Sequence, residues 1–337
     1  MKHVIVTGGA GYIGSHTIIE LLEKTDYHVI SLDNFSNSSE ESYERIENIS
    51  KKNFTKINVD LCDLEKLSTA LYHFDDIEGV IHFAAFKSVG ESTEDPLKYY
   101  HNNIGSLVNI LKICEHKQIK HFIFSSSCSV YGNTNVLPVT EETPLQKAAS
   151  PYGYTKQVGE EMLAEFCSAK PFLKSIALRY FNPVGAHMSG LNGELSSNKP
   201  SNLVPIITQT AAGKNSLTVH GNDYDTRDGT CIRDYVHVSD IADAHLKGLE
   251  FLVSGNAKQN YSVYNLGTGN GVSVLEAIKA FEKVTGLKLN YTIGPRRSGD
   301  VIEIYSNSTK ARNDLGWTAK LNIDDMMLSA WQWQGVV

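Results

Sequence analysis

The chain has 337 residues, 41% apolar and 20% charged, with a formal net charge of -7 and a pI near 5.9. That length can bury a large core and accommodate two closely joined lobes. The acidic balance and the lack of any Lys/Arg run argue against nucleic acid or an anionic membrane as partner.

Val4-Ile5-Val6 is a short apolar run leading into Thr7-Gly8-Gly9-Ala10-Gly11-Tyr12-Ile13-Gly14 and then a helical pattern with Ile18, Ile19, Leu21 and Leu22. The opening MKHVIVTGG thus enters a strand with no secretory h-region, and no apolar 18-mer follows. Five cysteines (Cys62, Cys114, Cys128, Cys167, Cys231) without a CxxC pair suggest neither disulfides nor zinc, so reduced thiols and the cytosol are expected. Gly8, Gly11 and Gly14 form GxxGxxG, in which glycines permit a tight turn and close backbone approach while the helix N-terminus receives a pyrophosphate. The second strand, Val29 to Leu32, ends in Asp33, 19 residues past Gly14, where a carboxylate binds both hydroxyls of an adenosine ribose and repels a 2′-phosphate. NAD is therefore expected over NADP.

Apolar runs recur at Ile57 to Val59, Val80 to Phe83, Phe122 to Phe124 and Ile176 to Leu178, spaced widely enough for crossover helices. Continuous apolar strands alternating with helices predict an α/β fold with a doubly wound parallel sheet, functional residues lying just beyond the strand ends. Ser125-Ser126-Ser127 is one such end. A serine run there is ordinary turn chemistry, but Ser127 also lies 25 residues before Tyr152, close enough in such a fold for its hydroxyl to share a substrate proton.

Ser150-Pro151 suits a helix start, which places Tyr152 and Lys156 on one face as an i, i+4 pair. Such pairs often amount to a packed ring beside a solvated lysine. Here a nearby ammonium is expected to lower the phenol from about 10 towards the working range, as a general base requires.

After Asn182 the alternation breaks down and turn-rich stretches appear, which predicts a smaller C-terminal α/β lobe. The expected division is 1–180 for the dinucleotide and 181–337 for the substrate, with some segments returning to the first sheet. Within the second part Val263 to Leu266 reads as a strand, and Ser273 with Glu276 as a capping box for a helix stopped by Gly286. Asp223, Asp225 and Asp228-Gly229 fail as a calcium loop because Arg227 holds the fifth position and the glycine is displaced. The twelve histidines show no HExxH spacing, so no metal is expected.

TGGAGYIG, Asp33-Asn34, HFAAFKSVGES (82 to 92), FSSSCSVYG (124 to 132), SPYGYTK, RYFNPVGAH (179 to 187), GNDYDTRDGTCIRDYVHV (221 to 238) and RRSGD (296 to 300) occur in this order over nearly the whole chain. Together they resemble the extended short-chain dehydrogenase/reductases, in their UDP-sugar 4-epimerase branch. The resemblance implies nucleotide contacts from Tyr12, Ile13, Asp33, Asn34, Asn37, Ser38, Asp60, Leu61, Phe83, Ala84, Lys87, Asn102 and Phe181, with Tyr152 and Lys156 near the nicotinamide ribose. On the UDP-sugar side it implies Ser127, Asn182, Asn202, Leu203, Thr218, Val219, His220, Arg233, Arg297 and Asp300, with Ile304 facing the substituent on the sugar's second carbon. It also implies a homodimer formed through helices near 97–118 and 151–169.

Two departures stand out. The family's NNxxGT stretch reads Asn102-Asn103-Ile104-Gly105-Ser106-Leu107, with the glycine one place early, which leaves helix packing there open. His220 stands where a phenylalanine often stacks near uracil, so that contact becomes pH-sensitive.

The residues allow Tyr152 to take the proton of a sugar 4-hydroxyl, with Ser127 sharing it, and Arg233 and Arg297 to grip a diphosphate with guanidinium forks. A nucleotide-sugar 4,6-dehydratase needs an extra acid/base pair, which relatives place as Asp-Glu where this chain has Ser127-Cys128. A non-catalytic NAD-sensing module has no need of Ser127, Tyr152 and Lys156 together.

Overall fold

The computed structural model describes residues 2–195, 202–297 and 301–335. The first part runs β1 (His3–Thr7), α1 (Tyr12–Lys24), β2 (His28–Asp33), α2 (Glu41–Ser50), β3 (Thr55–Asn58), α3 (Leu64–Leu71) and β4 (Ile77–His82). Then come α4 (Val89–Glu94), α5 (Pro96–Tyr99), α6 (Gly105–Lys117), β5 (His121–Ser127), α7 (Pro151–Ala169) and β6 (Lys174–Tyr180). The remainder comprises β7 (Asn182–Val184), α8 (Leu203–Ala211), β8 (Leu217–His220), β9 (Ile232–His237), α9 (Val238–Val253), β10 (Tyr261–Leu266) and β11 (Gly271–Ser273). It ends with α10 (Val274–Thr285), β12 (Tyr291–Gly294), β13 (Glu303–Ile304), α11 (Thr309–Leu315) and α12 (Ile323–Gln334).

Seven strands form one parallel sheet in the order β10-β6-β5-β4-β1-β2-β3. The order reverses between β1 and β4, and that switch point opens a crevice beyond the strand ends. Side chains alternate faces along each strand, so Val4 and Val6 pack with α1, α2 and α9, while Ile5 packs with α3, α6 and α7. Ile123 and its neighbours Phe122 and Phe124 divide the same way. Both faces are thus covered, which is why the strands read as continuous apolar runs.

Val263 to Leu266 does form a strand, but it joins this central sheet, β10 pairing with β6 from Tyr261↔Ser175 to Leu266↔Tyr180. The third strand starts two residues before the expected Ile57, and its ladder continues past its end through Val59 N donating to Asp33 O at 3.1 Å. The smaller lobe is built on β9, flanked by β7, β11 and β13, with a separate β8–β12 pair. Its core packs Val204 and Ile207 against Phe281 and Met327. The Ser273–Glu276 capping box starts α10, and Gly286, at φ 72, closes it.

Candidate active site

Gly8 has φ +67, and a Cβ there would sit 2.8 Å from Ala84 N, while one at Gly14 would collide with the Gly8 carbonyl. The turn therefore needs glycine for both conformation and space. Gly11 caps α1 without a side-chain bond, and the first turn carries no acid, so the positive end of the helix is left for an anion. Asp33 is buried at the end of β2, its Oδ2 accepting from Ala10 N at 2.9 Å and its Oδ1 from Phe35 N and Ser38 Oγ, each at 2.9 Å. Burial holds this carboxyl above its ordinary pKa, against the pull of those donors.

One cleft of about 390 Å³ runs from this loop to α7. That lies within the roughly 300–1,000 Å³ of a ligand site. Gly8, Gly11, Tyr12, Ile13, Gly14, Asp33, Asn34, Asn37, Ser38, Asp60, Leu61, Phe83, Ala84, Lys87, Asn102, Tyr152, Lys156 and Phe181 all line it. At its wall Lys87 Nζ pairs with Glu194 Oε1 at 2.7 Å. The cradle, the helix end and the buried carboxylate fit NAD: Gly8 to Gly14 would take the pyrophosphate and Asp33 the adenosine ribose.

A π-helical turn, Tyr100–Ile104, precedes α6 and carries Asn102 to the cleft wall. Asn103 Oδ1 accepts from Phe86 N at 2.8 Å, and its Nδ2 donates to Phe86 O at 3.0 Å and Thr155 Oγ1 at 3.1 Å, tying the β4 exit to α7. The displaced glycine disturbs nothing: a Cβ at Gly105 would meet only Cys62 Sγ at 3.6 Å, and Ser106 is buried with its hydroxyl donating to Asn103 O at 3.4 Å.

Ser150 caps α7, its hydroxyl accepting from Gly153 N at 3.1 Å, with Pro151 in the first turn. This start aims Tyr152 and Lys156 at the end of β5. Ser127 Oγ accepts from Ser129 N at 3.2 Å and lies beside the Tyr152 phenol, whose ionisation it favours. Lys156, 4% exposed, donates to Ser125 O at 2.6 Å and lies 5.9 Å from the centre of the Tyr152 ring.

The expected lowering of the Tyr152 phenol is not what the protein alone produces. Burial pushes it up to about 12, with only Ser127 opposing, while the ammonium is engaged by the strand carbonyl. Burial also brings Lys156 down to about 8, against the attraction of Glu160.

Ser127, Asn182 and Asn202 line the cleft; Leu203, Thr218, Val219, His220, Arg233, Arg297 and Ile304 do not. Thr218, Val219 and His220 lie on β8. Arg233 is on β9, where Ile304 of β13 is its register partner, and Ile304 is buried in the core. Burial pushes Tyr235 up to about 12 while Arg233 and then Arg297 pull it down. Arg233 acts likewise on Cys128, which burial raises to about 12. Asp300 lies outside the described residues.

Missing from the sequence-based expectations are Glu194 on the cleft wall and two carboxylates behind it. Asp234 accepts from Thr268, Gly269 and Ser306, stapling β13 to β9, and Glu160 holds Arg179. For Glu160 a signal existed, since it lies one turn beyond Lys156. Among the described residues no cluster of His, Cys, Asp or Glu is placed to hold a metal, and no helix is long and apolar enough to cross a membrane.

The family described as GDP-mannose 4,6 dehydratase matches residues 5–329. A UDP-glucose 4-epimerase of Dictyostelium discoideum is 46% identical over 334 residues, covering 99% of this chain and 96% of its own. The UDP-glucose-4-epimerase of Stenotrophomonas maltophila, solved with NAD and formylated UDP-arabinopyranose, superposes with a TM-score of 0.95 at 42% identity, covering 100% of this chain and 98% of its own. That of Bifidobacterium longum, in complex with NAD+ and UDP, gives 0.93 at 46%, covering 99% and 98%. With a glycine cradle, a buried carboxylate at the end of β2 and a Ser-Tyr-Lys cluster around one cleft, and with such likeness along its whole length, the chain belongs to the UDP-glucose 4-epimerase family.

Proposed function

We propose that the protein interconverts UDP-galactose and UDP-glucose as an NAD-dependent 4-epimerase. The observation that carries this reading is the placement of Ser127, Tyr152 and Lys156 at one end of the cleft whose other end is formed by the glycine loop and Asp33. Bound there, NAD would supply the hydride acceptor and donor for sugar C4 and a cationic ring beside the phenol.

The chain's own residues manage the proton and the geometry. Tyr152 Oη takes the proton of the sugar 4-hydroxyl, and Ser127 Oγ, beside it, shares that proton and returns it to the 4-oxygen once the sugar has turned over. The sugar must turn over as a 4-keto species between the two transfers, so the diphosphate is held firmly and the sugar loosely. Arg233 and Arg297, from outside the cleft lining, would meet the first need with their guanidinium forks, and Asn182 and Asn202 border the sugar's space.

Ser127-Cys128 lines the cleft where a 4,6-dehydratase needs an acid/base pair, and neither a hydroxyl nor a thiol raised to about 12 does that work. Residues 1–180 serve mainly the cofactor and 181–337 mainly the UDP-sugar. The chain works in the cytosol as a homodimer through α6 and α7. Five unpaired cysteines support the compartment, and Leu97 and Tyr154, 75% and 49% exposed near those helices, support the dimer. Incubating the purified protein with UDP-galactose and following UDP-glucose tests the activity, and no turnover with NAD bound would overturn it.

A further inference from the structure

Behind Lys156, away from the cleft, lies a cluster of charge that the reaction itself does not use. Glu160 is one helical turn along α7, 5% exposed, and accepts from Arg179 Nε at 2.9 Å to Oε1 and 3.2 Å to Oε2, and from Arg179 Nη2 at 2.5 Å. It also accepts the hydroxyl of Ser126, which is fully buried. Arg179, also 5% exposed, passes its remaining donor Nη1 to Tyr131 Oη at 2.9 Å, and Tyr131 donates to Asn265 Oδ1 at 2.7 Å. A buried ion pair contributes little net stability compared with an apolar repacking, so its place one turn from the reactive lysine calls for another reason.

The end of β5 supplies it. Ser125 is held by Lys156 at its carbonyl and by Tyr180 at its hydroxyl, Ser126 by Glu160, and Ser127 faces Tyr152. Lys156 and Arg179 are cationic and Glu160 anionic, which leaves one positive charge beside a phenol that must lose a proton. The other groups facing Lys156 are neutral: His82 on β4, which burial brings down to about 3, Tyr152 on its own helix, and Tyr180 on β6, which burial raises.

We propose that Glu160 is a positioning residue for the proton-transfer pair: its carboxylate holds Lys156 as the ammonium and pins Ser126, so that the Ser127 hydroxyl stays aimed at Tyr152. The inference rests on the roles given above to Tyr152 and Lys156.

The test is the pH profile of kcat with UDP-galactose for wild type and five variants, all with NAD bound. Removing the negative neighbour makes Lys156 lose its proton at lower pH. Glu160→Gln is therefore expected to move the alkaline limb of kcat down by about one pH unit, the scale for an adjacent opposite charge, with KM changed less than about twofold, since nothing touching the diphosphate moves. Glu160→Asp keeps the charge and should restore the limb. Ser126→Ala removes only the pin and should lower kcat without moving the limb. Glu160→Gln with Arg179→Met avoids a lone buried cation, folds where the single variant fails, and should show a smaller downward movement, since a repelling cation is lost along with the carboxylate. An unmoved limb in either folded Gln variant overturns the inference. Lys156→Met separates the two readings: if it keeps the wild-type alkaline limb, the role of Lys156 is wrong, whereas if it loses the limb while both Gln variants keep it, only the role of Glu160 is.

Discussion

Asp33 Oδ2 accepts a hydrogen bond from Ala10 N at 2.9 Å, so the carboxylate that ends the second strand is fixed to the glycine loop that follows the first. Glycine loop and strand-end carboxylate are thus held together as one unit. Cofactor released on denaturation should be NAD or NADH, identified by mass spectrometry; stoichiometric NADP would contradict the assignment. Asp33→Ala should retain NAD at least about tenfold less tightly, since hydrogen bonds to a charged group contribute ~1.5–3 kcal/mol, and unchanged retention would remove Asp33 from ribose binding.

Four buried histidines predict acid sensitivity. Burial lowers His16 and His82 to about 3, and His237 and His245 to about 4, from 6.5. A folded-state pKa below the unfolded value means that the unfolded chain binds more protons between these values. The stability is fully present above about pH 6.5 and is lost as pH falls towards 3–4, each histidine steepening the loss by up to about 1.4 kcal/mol per pH unit. Thermal melts between pH 7.5 and 5 should show a steep fall in Tm that His82→Gln makes shallower. A Tm flat across that range would contradict this.

Ile304 stands in register with Arg233 across β13 and β9. We propose that Ile304, although buried behind the cleft rather than lining it, still limits the room at the sugar's second carbon, so UDP-N-acetylglucosamine should be accepted less well than UDP-glucose. Ile304→Tyr should reduce kcat/KM for the acetylated sugar while sparing the plain one. Because Ile304 is 6% exposed, the larger ring can strain the core by about 1–3 kcal/mol, so both sugars are measured on protein shown to be folded. An unchanged ratio removes Ile304 from specificity.

Legibility in the sequence followed locality. The glycine loop, Asp33 and the Tyr152–Lys156 face depend on short spacings within a strand-turn-helix unit, and they meet in the cleft. The parallel sheet was legible because burial on both faces leaves unbroken apolar runs. What escaped was set by distant pairings: β10 returns across some 80 residues to lie beside β6, Lys156 turns to a carbonyl 31 residues away, and Glu160 finds Arg179 on the next strand. The direction of the Tyr152 shift escaped for the same reason. Helical spacing brings the ammonium near the ring but does not say which acceptor takes it.

The role of Tyr152 as proton acceptor is tested most directly by one comparison: kcat for UDP-galactose turnover by wild type and Tyr152→Phe, each with NAD bound. Removing general-base help should lower kcat at least about 10²-fold while the cofactor stays bound, because Asp33 and the glycine loop are untouched. Turnover by Tyr152→Phe within about threefold of wild type would contradict the account and move the base to Ser127.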